Sequence, residues 1–155
     1  MRALVVFDSA YGNTEQIAKE IANGIGVQNV KTLRASEAGA ADLSGVELLV
    51  VGSPTQGGRP TTAVQNFLKA LSSGSLKNIK TAAFDTRITK GGTGTFAKIF
   101  GYAANRIESD LKRCGGVHLS PEGFSVKGRE GPLHDGELER ARGWGSKLAS
   151  RSVST

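Results

Sequence analysis

Short apolar runs alternate with amphipathic helical patterns along the chain, and this alternation limits the possible folds more than any other feature. Runs with the character of buried strands occupy residues 2–7, 29–33, 46–53, 79–85 and 117–126. Strands that alternate with helices form βαβ units, in which a parallel sheet is covered on both faces. Five such strands predict an α/β fold of three layers, a doubly wound parallel sheet with strand order 2-1-3-4-5.

The helical patterns fall between and after these runs. Apolar residues recur at helical spacing over residues 17–25, 64–71, 96–111 and 138–148, with a weaker helical piece at 37–43. The third pattern, which begins at Phe96, is the most regular of them. Each pattern predicts a helix with one apolar face toward the sheet.

Size and composition indicate one domain with its own core. The chain has 155 residues, of which 38% are hydrophobic, so we expect a single domain over residues 1–150 and a frayed tail over 151–155. Cys114 is the single cysteine, which excludes an intrachain disulfide and favours a reducing compartment. The first apolar run is too short for a signal peptide, and no run approaches the roughly 20 residues that span a bilayer. We therefore expect a cytoplasmic protein without membrane insertion.

The net charge of +6 is unevenly distributed. Residues 1–75 carry six basic and six acidic side chains, whereas residues 76–155 carry fourteen and eight. An acidic protein partner would explain this excess, and so would the solvated faces of amphipathic helices. No Arg-rich helix, zinc spacing or aromatic-basic RNA motif supports binding to nucleic acid.

The segment S-A-Y-G-N-T (9–14) joins the first strand to the first helix. A helix N-terminus offers unpaired N–H groups and a positive dipole end, and open α/β sheets bind ligands at the carboxyl ends of their strands. Gly12 allows close approach, Ser9 and Thr14 offer hydroxyls, and Asn13 is predicted to cap the helix together with Gln16. The segment therefore favours an anion site, and simple helix capping stays open as the alternative.

Three ordered motifs resemble those of the flavodoxin family. The segment at 9–14 resembles the loop that holds the phosphate of FMN, and G-S-P-T-Q-G-G-R-P (52–60) is similar to the second flavin loop. The segment E-G-P-L-H-D-G-E-L-E-R-A-R-G-W-G (130–145) resembles the end of a group of flavodoxin-domain proteins. The resemblance covers nearly the whole chain. It implies a flavodoxin-like fold, noncovalently bound FMN and electron transfer between redox partner proteins.

The resemblance also implies where FMN binds. The third contact is expected where the fourth strand ends, and Arg87 there could neutralise a reduced flavin, hold the phosphate or simply be solvated. The residues expected to bind FMN are Ser9, Ala10, Tyr11, Gly12, Asn13, Thr14, Ser53, Pro54, Thr55, Gln56, Gly57, Gly58, Asp85, Thr86 and Arg87.

The sequence departs from the family pattern in two respects. Flavodoxins usually stack an aromatic side chain on the flavin, but the second loop here has Gln56, and Phe96 and Tyr102 are the nearest aromatics to the third loop. Many flavodoxins are acidic, whereas this chain is basic, so its redox partners are expected to be acidic. Tyr11 stands where classical flavodoxins carry Thr, and with this residue the first loop more closely resembles the flavin loops of flavodiiron proteins and related quinone reductases.

Two functions therefore remain open. One is an electron carrier, acting as a monomer or weak homodimer. The other is an FMN-dependent oxidoreductase of the quinone reductase or protoporphyrinogen oxidase type. No metal-ligand spacing or nucleophilic triad is visible, and His134 could approach the flavin edge. A receiver domain on the same fold is excluded because the third strand ends in Gly52-Ser53-Pro54, without the carboxylate that such a site needs.

Overall fold

A computed structural model describes residues 1–89 and 101–153. The strands are β1 (Ala3–Phe7), β2 (Val30–Arg34), β3 (Leu48–Pro54), β4 (Lys80–Ile88), β5 (Val117–His118) and β6 (Glu122–Val126). The helices are α1 (Asn13–Ile25), α2 (Thr62–Lys69), α3 (Ala103–Arg113) and α4 (Glu137–Val153). No helix in these two stretches is long and apolar enough to cross a membrane.

The sheet confirms the predicted fold and strand order. Its strand order is β2-β1-β3-β4-β5. β6 pairs with the carboxyl-terminal part of β4, past the residues of β4 that pair with β5. All of these pairings are parallel. Since β1 lies between β2 and β3, the connections that leave β1 and β3 turn to opposite faces of the sheet. The carboxyl ends of β1 and β3 therefore flank the switch point at which such sheets bind ligands.

The fifth strand is the place where the prediction was wrong in detail, because it consists of two segments. Thr81 pairs with His118, but Phe84 pairs with Glu122, so the outer strand holds one more residue than β4 between these pairs. Pro121 precedes β6 and has no N–H to donate. An extra residue beside a proline produces a bulge that interrupts the strand.

Two cores form on the two faces of the sheet because alternate residues of each strand point to opposite sides. On one face, Val5 and Phe7 pack with α1 and α4, and Phe84, Phe124 and Trp144 form edge-to-face contacts. On the other face, strand residues pack with α2 and α3. Cys114 is buried in this second core, and its thiol donates to the Leu71 carbonyl.

Several helix bounds differ from the sequence predictions. The piece at 37–43 is two 3-10 turns, Ala35–Glu37 and Ala40–Leu43. The second helix, whose apolar pattern covers residues 64–71, begins at Thr62 and ends at Lys69. The part of the third helical pattern that the structure describes begins at Ala103, while residues 96–100 lie outside the described residues.

Candidate functional site

A cleft of about 450 Å³ lies at the carboxyl edge of the sheet. Its size falls within the range of roughly 300–1,000 Å³ that is usual for cofactor sites. It is lined by loops that follow β1, β3, β4 and β6. The lining residues in the described part of the chain are Ser9, Ala10, Tyr11, Asn13, Thr14, Pro54, Thr55, Gln56, Gly57, Thr86, Ile88, Val126 and Arg129.

The first loop presents the N-terminus of α1 at the cleft. Gly12 precedes the helix with a φ of 94°, which favours glycine, and its N–H donates to Ser9 Oγ over 3.0 Å. The first N–H of the helical ladder is that of Gln16, which donates to the Gly12 carbonyl. The N–H groups of residues 13–15 precede this bond, so helix geometry leaves them for an anion.

Asn13 does not cap the helix, so that prediction was wrong. It is the first residue of α1, and its Nδ2 donates to the Glu130 carbonyl over 3.1 Å. A cap must lie one residue earlier, at the position that Gly12 occupies. The amide of Asn13 instead ties the first loop to the loop after β6.

Thr14 connects the first loop to the third. Its side chain is buried, and its Oγ1 lies 2.8 Å from Thr86 Oγ1. Thr55 in turn donates its N–H to the Thr86 carbonyl over 2.9 Å. These two bonds hold residues of three separate loops in fixed positions beneath the cleft.

The second loop is a tight two-residue turn. Gln56 and Arg59 exchange backbone hydrogen bonds of 2.9 and 3.1 Å. Between them, Gly57 and Gly58 have φ angles of 58° and 79°, as a type I′ turn requires. Gly57 lines the cleft, whereas Gly58 is buried beside it.

Ser53 also lies next to the cleft and not on its surface. Its hydroxyl is buried, accepts the N–H of Thr61 and donates to the Pro54 carbonyl, each over 2.9 Å. Because both bonds are internal, Ser53 shapes the start of the second loop.

Asp85 and Arg87 pair with each other below the cleft. Two bonds of 2.7 and 2.8 Å join the carboxylate to the guanidinium, and Asp85 also accepts the N–H of Ala104 over 2.9 Å. Burial raises the pKa of the Asp85 carboxyl, and Arg87 opposes this shift. The guanidinium lies 3.4 Å from the centre of the Tyr102 ring. The charge of Arg87 is therefore paired with Asp85, and the face of its guanidinium packs on the Tyr102 ring. Its role toward a flavin stays a prediction.

A second ion pair supports β6. Glu137 accepts the N–H of Ser125 over 2.7 Å and pairs with Arg140. The Arg140 guanidinium, followed by the Ser125 N–H, lowers the pKa of Glu137 despite its burial.

Ile88, Val126 and Arg129 line the cleft but were not expected from the sequence. Ile88 ends β4 beyond Asp85 and Arg87, Val126 ends β6, and Arg129 lies in the loop that follows β6. Tyr11 is the one aromatic residue that lines the cleft in the described ranges, and its exposed fraction is 49%. Tyr102 packs on Arg87, and Phe96 lies outside the described residues. His134 lines a neighbouring hollow that shares Asn13 with the cleft.

The donors around the cleft suit FMN. Backbone N–H groups at a helix N-terminus and hydroxyls fit a phosphate, and the Gly57 turn and Tyr11 offer surfaces to a flat ring.

Within 1–89 and 101–153, no cluster of three or more potential metal-ligating side chains exists.

Comparison with known proteins agrees with this geometry. The fold and the cleft define an open α/β protein with a candidate cofactor site at its switch point. The flavodoxin family model matches residues 5–144. The chain belongs to the flavodoxin family, and its cofactor is FMN.

Solved structures show the same fold at low identity. A flavodoxin from the domain Archaea is 21% identical, with 99% of this chain and 100% of that one covered and a TM-score of 0.72. A flavodoxin, WrbA-like protein from Agrobacterium tumefaciens is 20% identical, with 97% and 96% covered and a TM-score of 0.75. A flavodoxin from Streptococcus pneumonia TIGR4 is 17% identical, with 99% and 100% covered and a TM-score of 0.74. No match was found among curated proteins.

Proposed function

We propose that this protein is an electron carrier that passes electrons between protein partners through noncovalently bound FMN. The observation that carries the proposal is the exposed rim of the cleft. Tyr11 and Ile88 line the cleft with exposed fractions of 49% and 45%. A ring held against such a rim keeps an edge within reach of a docked partner. FMN supplies the redox chemistry, and the protein supplies binding, orientation and electrostatics.

The basic charge of the chain supports acidic partners. The excess of basic side chains lies after residue 75, which is also the part that forms β4, β6 and the loop carrying Arg129. Opposite charge raises the rate of encounter between proteins and is screened by salt. We place the carrier in the cytoplasm, because its one cysteine is a buried free thiol, and expect a monomer or weak homodimer.

Stopped-flow kinetics test the proposal. The FMN-loaded protein should accept electrons from an acidic redox protein more slowly as ionic strength rises from about 0.01 M to about 0.15 M, since the Debye length falls from about 30 Å to about 8 Å. Reduction by a neutral small molecule is the control and should not change with salt. Equal rates with the acidic protein at both salt concentrations would contradict the charge argument.

An FMN-dependent oxidoreductase, of the quinone reductase or protoporphyrinogen oxidase type, is the second candidate. The openness of the cleft favours it, because Tyr11 is the one lining aromatic in the described residues and a small substrate would need access to the ring. Steady-state oxidation of NADH with a quinone acceptor separates the two. Catalytic turnover with these small molecules would favour the enzyme, and reduction by protein partners alone would favour the carrier.

A further inference from the structure

We infer that Arg129 recognises the phosphate of FMN and makes the cleft select the phosphorylated flavin over riboflavin. The inference rests on the proposed function, since it takes FMN to occupy the cleft. It concerns a residue outside the loops that the family resemblance identifies.

Arg129 is the one charged residue that lines the cleft in the part of the chain that the structure describes. The first loop contains no Lys or Arg, so it offers a phosphate only dipoles and hydrogen bonds. A guanidinium adds a permanent charge and a planar fork of donors that matches phosphate oxygens.

The backbone around Arg129 is a closed turn. Lys127 donates its N–H to the Pro132 carbonyl over 2.8 Å, and Gly131 donates to Gly128 over 3.0 Å. Val126 and Leu133 form an antiparallel bridge at the base of the turn. These bonds limit how far residue 129 can move from the cleft.

The same turn is attached to the start of α1. The Asn13 side chain donates a hydrogen bond from Nδ2 to the carbonyl of Glu130, the residue after Arg129. A side chain added at Gly131 would meet the Asn13 amide, so the turn packs directly on the first helical residue. Arg129 is therefore anchored beside the helix N-terminus that suits a phosphate, which places it at the phosphate in preference to the ring.

The Arg129 charge is available to a ligand. The two acids that flank the first loop are already paired with other bases, because Arg34 lies 3.8 Å from Asp8 and 3.2 Å from Glu15, and Lys19 lies 3.5 Å from Glu15. The Arg129 side chain itself has no hydrogen bond or ion pair with any other described residue. An anion at the first loop could therefore pair with the Arg129 guanidinium without displacing a bond to another described residue.

Titration of the apoprotein with FMN and with riboflavin tests the inference. Arg129→Gln should raise the FMN dissociation constant about threefold to tenfold at low salt, a range that allows for screening of an exposed side chain. It should leave the riboflavin constant within about twofold, because riboflavin lacks the phosphate. Arg129→Lys should retain part of the FMN affinity, since it keeps the charge and loses the fork.

Lys127→Gln is the matched control. It removes the same charge two residues before Arg129, and the Lys127 side chain does not line the cleft. It should leave both constants unchanged. Salt should also weaken FMN binding to the wild type more than to Arg129→Gln.

Three results would overturn the inference. Equal weakening of FMN and riboflavin would place Arg129 at the ring, and an FMN constant unchanged in Arg129→Gln would remove it from the site. Both leave the carrier function intact, because the wild type still binds FMN. A wild type that binds neither flavin would reject the inference and the proposed function together.

Discussion

Two halves of the carboxyl edge satisfy their polar groups in different ways. Where it lines the cleft, the half after β1 and β3 uses hydroxyls, an amide and backbone groups, as in the Gln56–Arg59 turn and the Thr14 hydroxyl, which bonds to Thr86 of β4. The ion pairs of this half, Arg34 with Asp8 and with Glu15, involve none of the described lining residues. The half after β4 and β6 uses ion pairs, Asp85 with Arg87 and Glu137 with Arg140. We call these the neutral half and the charged half.

The difference shows where charge is available for a ligand. In the charged half Asp85 and Glu137 are each bonded to a base and a backbone N–H, so these charges stabilise the protein and have little left to offer a cofactor. In the neutral half the donors face the cleft without a competing carboxylate among its described lining residues. At the proposed site the ligand would therefore meet neutral donors and, from the loop after β6, Arg129.

The largest effect should come from breaking the charged half. Asp85→Ala leaves Arg87 and the Ala104 N–H without their acceptor, and removal of one partner of a buried pair costs about 3–5 kcal/mol. Urea unfolding measures the loss. Asp110→Ala is the control, because its pair with Arg113 is half exposed and should contribute under about 1 kcal/mol. Equal losses in the two variants would show that burial does not increase the contribution of the Asp85–Arg87 pair.

The neutral half should respond most in cofactor affinity. Thr14 lines the cleft, and we propose that its hydroxyl, which bonds to Thr86 Oγ1, also donates to the FMN phosphate. Thr14→Val removes that hydroxyl, and loss of a hydrogen bond to a charged oxygen costs about 1.5–3 kcal/mol. The FMN dissociation constant should therefore rise at least about tenfold in a fluorescence titration. Thr62→Val, at an exposed position of α2, should leave the constant unchanged. An unchanged constant in Thr14→Val would remove this residue from the site.

A substitution in the turn of the neutral half should lower the free energy of unfolding by a smaller amount, because it strains only the backbone. Gly57 has a φ of 58° and open space where a Cβ would stand, so Gly57→Ala introduces conformational strain of about 1–2 kcal/mol without a clash. Thermal unfolding of the apoprotein measures it. Gly143→Ala also meets open space but lies inside α4, so it should stabilise by about 0.5–1 kcal/mol. Shifts of the same sign would contradict the conformational argument.

The smallest effect concerns acid sensitivity of the charged half. The pKa of Glu137 is lowered from its ordinary value of 4.5, so its carboxylate stabilises the folded chain above that pH. The contribution is lost as the pH falls through the folded-state pKa. Between about pH 6 and about pH 3, wild type should lose more unfolding free energy than Glu137→Gln. Parallel curves for the two proteins would show that this carboxylate does not contribute.

Much of the neutral half could be predicted because its signals are local. Ser9–Thr14 and Gly52–Gly58 directly follow apolar runs, and position after a parallel strand places a residue at the edge of the sheet. The pairing of Asp85 with Arg87 is consistent with their spacing, since residues two apart on a strand share a face and can pair. Pro121 likewise marked the interruption of the fifth strand.

Arg129 could not be predicted from such signals. Its place in the cleft depends on the bond between Asn13 and Glu130, which are 117 residues apart. No pattern in either segment specifies that partner, because a single amide can serve as a cap, a turn residue or a tether. Only the folded backbone brings the two segments together.

The Asn13–Glu130 bond also has a consequence for synthesis of the protein. The cleft takes its walls from chain segments that leave the ribosome at widely separated times, and the wall that holds Arg129 is completed last. A nascent chain that carries only the first two loops has an open phosphate loop with no rear wall. If Arg129 contributes to affinity as proposed, cofactor capture at full affinity follows synthesis of the chain beyond residue 129, and retained flavin marks a polypeptide that has folded at least through that loop.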